Sequence, residues 1–218
     1  DHRESRGLGD VYKRQAGTYS VNSTEVACAA CEAGSITDKG TSSGATVCTA
    51  CAVGKYSMAS SVAACTDCTA GRYVGTTGSA AASDCAPCEA GSITNKLAST
   101  GATTCAACAV GKYTTASTEA CTDCDVGKYA ATDASSACGA CSAGKYQDTA
   151  GQGYCKVCLA GSRTNTGTSA GASSCIACAA GTYSTESAIG SCTPCSAGSI
   201  TDKGTSSGAT VCLSLIHI

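Results

Sequence analysis

The sequence predicts a small disulfide-rich fold: an elongated tandem array of short, irregular β-hairpin repeats, with little or no helix and no large hydrophobic core. Three observations predict it. Cysteine supplies 21 of the 218 residues, large apolar side chains are nearly absent, and one cysteine pattern recurs along almost the whole chain.

The missing core comes first. The chain has no Phe, no Trp and a single Met. Between Ala16 and Cys212 the only leucines are Leu97 and Leu159. Such a chain buries too little apolar surface to offset the entropy of ordering its backbone. Its Gly, Ser, Thr and Ala would read as a disordered linker. Cysteine at close to a tenth of the residues changes that reading, because this is the range of disulfide scaffolds. Coreless domains are stapled in oxidising compartments, which places the protein outside the cell, secreted or as a surface ectodomain.

Both ends read as foreign. GAT-GTG-TAT-AAG-AGA-CAG encodes Asp10 to Gln15, and CTG-TCT-CTT-ATA-CAC-ATC encodes Leu213 to Ile218. The two strings are reverse complements. Residues 1–15 and 213–218 are therefore expected to be translated sequencing adaptor, leaving 16–212 as native sequence and the chain as a fragment. Both histidines, His2 and His217, lie in these ends, as do four of the fourteen basic residues. The remainder is mildly acidic. It offers no basic face for nucleic acid or an anionic membrane, so any membrane attachment would come through missing flanking segments.

Ten CxxC pairs follow one another, and Cys212 opens an eleventh. A glycine stands three residues after the second cysteine of each pair, from Gly34 to Gly198. Short repeats continue Gly-x-Tyr, as in Gly54-Lys55-Tyr56; most long ones read Gly-Ser-Ile-Thr, as in Gly91-Ser92-Ile93-Thr94. Residues 33–48 recur unchanged at 197–212. The glycine is expected to supply a special backbone angle or a close approach. The β-branched and aromatic residues after it predict a short strand, the Gly/Ser/Thr/Ala stretch a turn, and the residues before the next cysteine a returning strand. Each Tyr or Ile then packs on a neighbouring disulfide.

The repeat constrains the pairing. A bond within one CxxC makes a strained, reducible ring suited to redox sites. Joining the second cysteine of each pair to the first of the next closes one loop per repeat. This predicts Cys31–Cys48, Cys51–Cys65, Cys68–Cys85, Cys88–Cys105, Cys108–Cys121, Cys124–Cys138, Cys141–Cys155, Cys158–Cys175, Cys178–Cys192 and Cys195–Cys212. Cys28 is left as the odd cysteine, by truncation: its partner belongs at position 14, three before Gly17, where Arg14 stands.

The pattern C-x-x-C-x-x-G-x-Y, a loop and the next C-x-x-C resembles the ephrin-receptor-like cysteine-rich repeat. It is also similar to the loop modules of tumour-necrosis-factor receptors, within the broader growth-factor-receptor cysteine-rich class. The resemblance spans 16–212 and implies an ectodomain of a larger surface or secreted protein. Pro87 and Pro194, both inside a CxxC, depart from the family's usual proline placement, and no ligand-binding residue carries over.

Other chemistries fit less well. Consecutive CxxC pairs also match four-cysteine zinc sites, which would make an intracellular metal array, but zinc modules usually bring larger apolar residues. A thioredoxin-like site needs an α/β domain that nothing predicts. Nucleophilic catalysis needs a base, and native histidine is missing. No catalytic residue, cofactor or metal is therefore expected, and the protein is not read as an enzyme. Asp67, Asp84 and Asp123 read as solvated charges. Asn22-Ser23-Thr24 is an N-glycosylation sequon. Two functions remain: a spacer, stalk or adhesion segment, favoured by near-identical repeats, and a receptor-type ligand-binding module. The partner left open is a protein or a glycan. With about five residues of rise at ~3.3 Å each and neighbour-only contacts, the expected array is quasi-one-dimensional.

Overall fold

Glycine and the cysteine pair set the local structure of every repeat. The computed structural model describes residues 17–20, 28–59, 64–186 and 190–215. The sequon at Asn22 and the amino-terminal stretch 1–15 lie outside them. Among the described residues the strands form eleven two-stranded sheets, and the one named helical element is the 3-10 turn Ala82–Asp84. The chain divides into two compact halves, Asp1–Ala106 with Ala116–Ala120, and Ala107–Thr115 with Cys121–Ile218.

In the first half, Ser35–Thr37 pairs antiparallel with Cys48–Ala50, Lys55–Tyr56 with Thr66–Asp67, and Arg72–Tyr73 with Ala86–Pro87. In the second, Lys112–Tyr113 pairs with Thr122–Asp123, Lys128–Tyr129 with Gly139–Ala140, Lys145–Tyr146 with Lys156–Val157, and Ser162–Thr164 with Cys175–Ala177. Thr182–Tyr183 with Thr193–Pro194 and Ser199–Thr201 with Cys212–Ser214 complete it.

One expectation is corrected here. The returning strand is not the stretch before the next cysteine but the two residues inside the CxxC itself, joined in the Ser-x-Thr repeats by its first cysteine. The cause is a backbone bond that closes each hairpin. The N–H of the second cysteine donates to the glycine carbonyl, as from Cys68 to Gly54 and from Cys124 to Gly111, both at 2.9 Å. That bond and the disulfide hold the inner dipeptide opposite the strand after the glycine.

Long repeats add a loop clamp. The residue after the Thr, Asp38, Asn95, Asn165 or Asp202, turns its Oδ1 onto a backbone N–H eight residues on, at 3.1, 3.0, 3.1 and 3.0 Å. A single short carboxylate or amide thus ties down a loop that would otherwise cost more closure entropy.

The interior is sulfur and small polar groups. Cys51, Cys68, Cys108, Cys124, Cys141, Cys158 and Cys178 are buried, and Val74 is the one large aliphatic in the buried set of described residues. The residue three after each glycine is also buried: Thr37, Ser57, Val74, Thr94, Thr114, Ala130, Gln147, Thr164, Ser184 and Thr201. Most are polar, and burying them unpaired would be costly. They are paired locally. The Thr37 hydroxyl donates to the Gly40 carbonyl at 2.8 Å, Ser57 to Ala59 at 2.7 Å, and the Gln147 amide to Tyr154 at 2.6 Å. No buried side-chain N or O among the described residues lacks a partner.

Repeats are spliced through the main chain, and contacts reach beyond the nearest neighbour. Naming each repeat by its glycine, the Gly127 N–H donates to the Gln147 carbonyl of the next repeat at 2.8 Å. The Gln147 N–H donates onward to Ala172 at 3.0 Å, and the Gly171 N–H returns to Cys141 at 2.8 Å. Gly161 then abuts the repeat after next: a Cβ built on it would lie 2.5 Å from the Gly208 carbonyl oxygen, and its φ is +80°. Both uses expected of the glycine are therefore present at one residue. Neighbour-only contact is corrected to contact with the next repeat and, within each half, the one following.

Candidate functional site

The ten disulfides are the chain's main covalent feature. They join Cys31–Cys48, Cys51–Cys65, Cys68–Cys85, Cys88–Cys105, Cys108–Cys121, Cys124–Cys138, Cys141–Cys155, Cys158–Cys175, Cys178–Cys192 and Cys195–Cys212. Cα separations run from 5.6 Å in Cys158–Cys175 to 5.8 Å in Cys195–Cys212, an ordinary span for the bond. Cys28 is half-buried and stands outside these ten. Zinc binding needs thiolates, and twenty of the cysteines are bonded sulfur to sulfur. Among the described residues no three His, Cys, Asp or Glu side chains gather around a common point.

Tyr56 packs on a neighbouring disulfide, Cys68–Cys85, and on Val74, all of which belong to the following repeat. The parallel bridges Tyr56–Ser79, Tyr146–Ala172 and Tyr183–Ala209 give the reason, because they run the tyrosine backbone along the next loop.

The acidic residues also have partners. Asp67 lies directly across the hairpin from Lys55 and Asp123 from Lys112, with Nζ–Oδ1 distances of 2.5 and 2.6 Å. Asp84 accepts the Ala80 and Ala81 N–H groups at 2.8 and 3.1 Å. These pairs are exposed, so each contributes at most ~1 kcal/mol. The Lys156 ammonium donates to Asp148 at 2.6 Å and lies 5.9 Å from the Tyr146 ring centre. That hydrogen bond holds the Asp148 carboxyl below its usual range and raises Lys156. The Thr210 hydroxyl does the same to Asp202.

In the second half a shallow notch recurs where one repeat meets the next. It is built from the residue two after one glycine, the residues after the next repeat's second cysteine and glycine, and those before the following cysteine. One notch is lined by Tyr113, Asp125, Lys128 and Ala137, and the next by Tyr129, Ser142, Lys145 and Tyr154. A third carries Arg163 and Thr182. Sequence reasoning missed the notches because their walls come from three separated stretches. The sign was present in Tyr154, which stands where the preceding repeat has Ala137.

Residues 127–173 and 166–212 each match the family model described as tyrosine-protein kinase ephrin type A/B receptor-like. No curated protein matches the chain. This repeat type is usually extracellular and not typically enzymatic. Among the described residues no helix is long and apolar enough to cross a membrane. Residues 127–212 are thus ephrin-receptor-like repeats, in a chain that forms a tandem array of disulfide-bonded cysteine-rich repeats.

Proposed function

We propose that the array is a spacer or adhesion segment of an extracellular protein and carries no catalytic activity. The observation that supports this reading is the main-chain splice. Three junctions among the described residues combine a glycine N–H given to the next repeat with a loop N–H returned to a cysteine carbonyl. Gly54 to Val74 and Gly78 to Cys51, both 2.8 Å, form one such junction; Gly111 to Ala130 at 2.9 Å and Ala134 to Cys108 at 2.8 Å form another. Load crosses such joints through backbone bonds and disulfides, and the side chains are left free to vary. Repetition of one joint suits a part whose property is the number of its repeats.

The test is to tether the array to a surface with a fluorescent domain at its far end, and to delete two or four whole repeats. The height of the fluorophore should fall with each deletion. A height independent of repeat number would end the spacer reading. The reading extends to the chain's extent: 16–212 is native sequence, and 1–15 with 213–218 is translated adaptor. Sequencing the source locus tests this, and genomic codons continuing through Asp10–Gln15 would overturn it.

A further inference from the structure

We propose that the notch of the Gly144 repeat binds a carboxylate-bearing sugar unit. The argument rests on comparing equivalent positions in the three notches. In the Gly127 notch, Lys128 lies 4.0 Å from Asp125, so the ammonium already has a counter-charge. In the third, Thr182 replaces the lysine, and the Arg163 guanidinium donates to the Thr164 carbonyl at 3.2 Å.

The Gly144 notch differs at each of these points. Ser142 replaces the acid, and the residue across the hairpin from Lys145 is Val157, where the Gly54 and Gly111 repeats have Asp67 and Asp123. The nearby carboxylate, Asp148, is held by Lys156. Lys145 has no ion-pair partner among the described residues. Beside it, Tyr154 is 60% exposed, in a chain whose other described tyrosines are half-buried.

A cation without a counter-charge, two phenol rings and one hydroxyl therefore surround a space of about 310 Å³. That is the lower end of small-ligand sites. The ammonium selects an anion by a charge-assisted hydrogen bond. The rings present apolar faces whose hydroxyls still reach polar groups. A carboxylated monosaccharide supplies all three complements: a carboxylate, a C–H face and a rim of hydroxyls. An acidic side chain of a protein would satisfy Lys145 and leave both rings uncovered. A phosphate monoester would bring about two negative charges to a notch that offers one ammonium.

The experiment is a ¹H–¹⁵N correlation titration of the full oxidised chain with glucuronate, with glucose, acetate and a Glu-rich peptide as parallel arms. Glucuronate is expected to shift 129–131, 142–146 and 153–156 saturably, with a Kd on the order of millimolar. Lys145→Gln should weaken binding about tenfold, the loss of one charge-assisted hydrogen bond, and Tyr154→Ala about tenfold, the loss of a stacking ring face. Asp125→Ser with Ala137→Tyr should create a second saturable set around Tyr113 and Lys128. Unchanged amide positions in distant repeats report that each variant has folded. Absence of saturation, equal shifts with acetate or glucose, or unaltered binding by Lys145→Gln would overturn the proposal. Saturation by the peptide alone would overturn it in favour of a protein partner. None of these outcomes alters the dependence of spacer height on repeat number.

Discussion

Two glycine substitutions separate the two uses of glycine in this fold. Gly171 has a φ of +84°, and a Cβ built on it meets nothing within 4 Å. Gly171→Ala therefore measures the backbone angle alone. The left-handed region costs an L-residue about 1–2 kcal/mol, and the smaller entropy of the alanine-bearing unfolded chain returns about 0.4–1 kcal/mol, for a net loss near ~1 kcal/mol. Gly161 has nearly the same angle, but its Cβ would sit 2.5 Å from the Gly208 oxygen and 3.0 Å from the Gly208 carbonyl carbon. Backbone cannot swing aside as a side-chain end can, so one repeat must shift against another. Overpacking of this kind adds about 1–3 kcal/mol. A shift would also stretch the Gly161–Ser184 bond of 2.9 Å and the Cys178–Gly161 bond of 2.8 Å. Gly161→Ala should thus cost about 2–4 kcal/mol in all. Urea unfolding of the oxidised chain, followed by near-UV circular dichroism of the tyrosines, gives both values at constant m. Equal losses in the two variants would refute the close packing of a repeat head against the loop two repeats on.

Further outcomes follow from single residues. Ala134 has a φ of +57° where aligned loops carry Gly151 and Gly171, so Ala134→Gly should stabilise the second half by about 0.5–1 kcal/mol in the same assay; a destabilised variant would contradict the assigned angle. Replacing Cys141 and Cys155 together by serine opens a loop of sequence separation 14 and should cost about 3 kcal/mol. An unchanged unfolding midpoint would show that the bond does not constrain the unfolded chain. Asp148 titrates below its usual range because Lys156 donates to it. The stabilisation from this pair is present above the ordinary carboxylate pKa and is lost as pH falls through the lower folded value. Lys156→Met should move the Asp148 midpoint upward in a carboxyl-carbon NMR titration, and an unmoved midpoint would assign the shift to another cause.

The cysteine and glycine spacing made the hairpin array legible, because each repeat is a local event of fewer than about twenty residues. What stayed hidden depends on contact between repeats. The buried row from Thr37 to Thr201 looks like surface in sequence, since small polar residues are usually exposed. It is interior here because the hydroxyls of Thr37, Ser57, Thr94, Thr164, Ser184 and Thr201 each find a carbonyl two or three residues away, as Thr164 finds Gly167 at 2.5 Å. The returning strand was misplaced for a related reason. Inner CxxC residues such as Ala29-Ala30 or Gly139-Ala140 carry little strand propensity, and the hairpin is imposed on them by the closing bond from the second cysteine. The notch at Lys145 needed three stretches brought together, and sequence showed only its outlier, Tyr154.

The duplicated string 33–48 and 197–212 isolates what a repeat specifies by itself. The copies lie in different halves, beside different neighbours. Both form the three-residue strand Ser-Ile-Thr against a partner that begins at the closing cysteine. Both clamp the loop by aspartate, Asp38 to Thr46 at 3.1 Å and Asp202 to Thr210 at 3.0 Å. Both turn the threonine hydroxyl to a glycine carbonyl, at 2.8 and 2.7 Å. Beyond the string the sequences part: Thr49-Ala50-Cys51 follows one copy and Leu213-Ser214-Leu215 the other. The closing bond persists, from the Cys51 N–H to Gly34 at 2.8 Å and from the Leu215 N–H to Gly198 at 2.9 Å. Hairpin closure is therefore a property of the backbone after the glycine, and it does not require a sulfur at that position. The second cysteine is needed for the next loop's disulfide. A repeat thus closes its hairpin on the backbone alone, while its joint to the repeats that follow needs the second cysteine, the main-chain splice and, at Gly161, the close approach to the loop two repeats on.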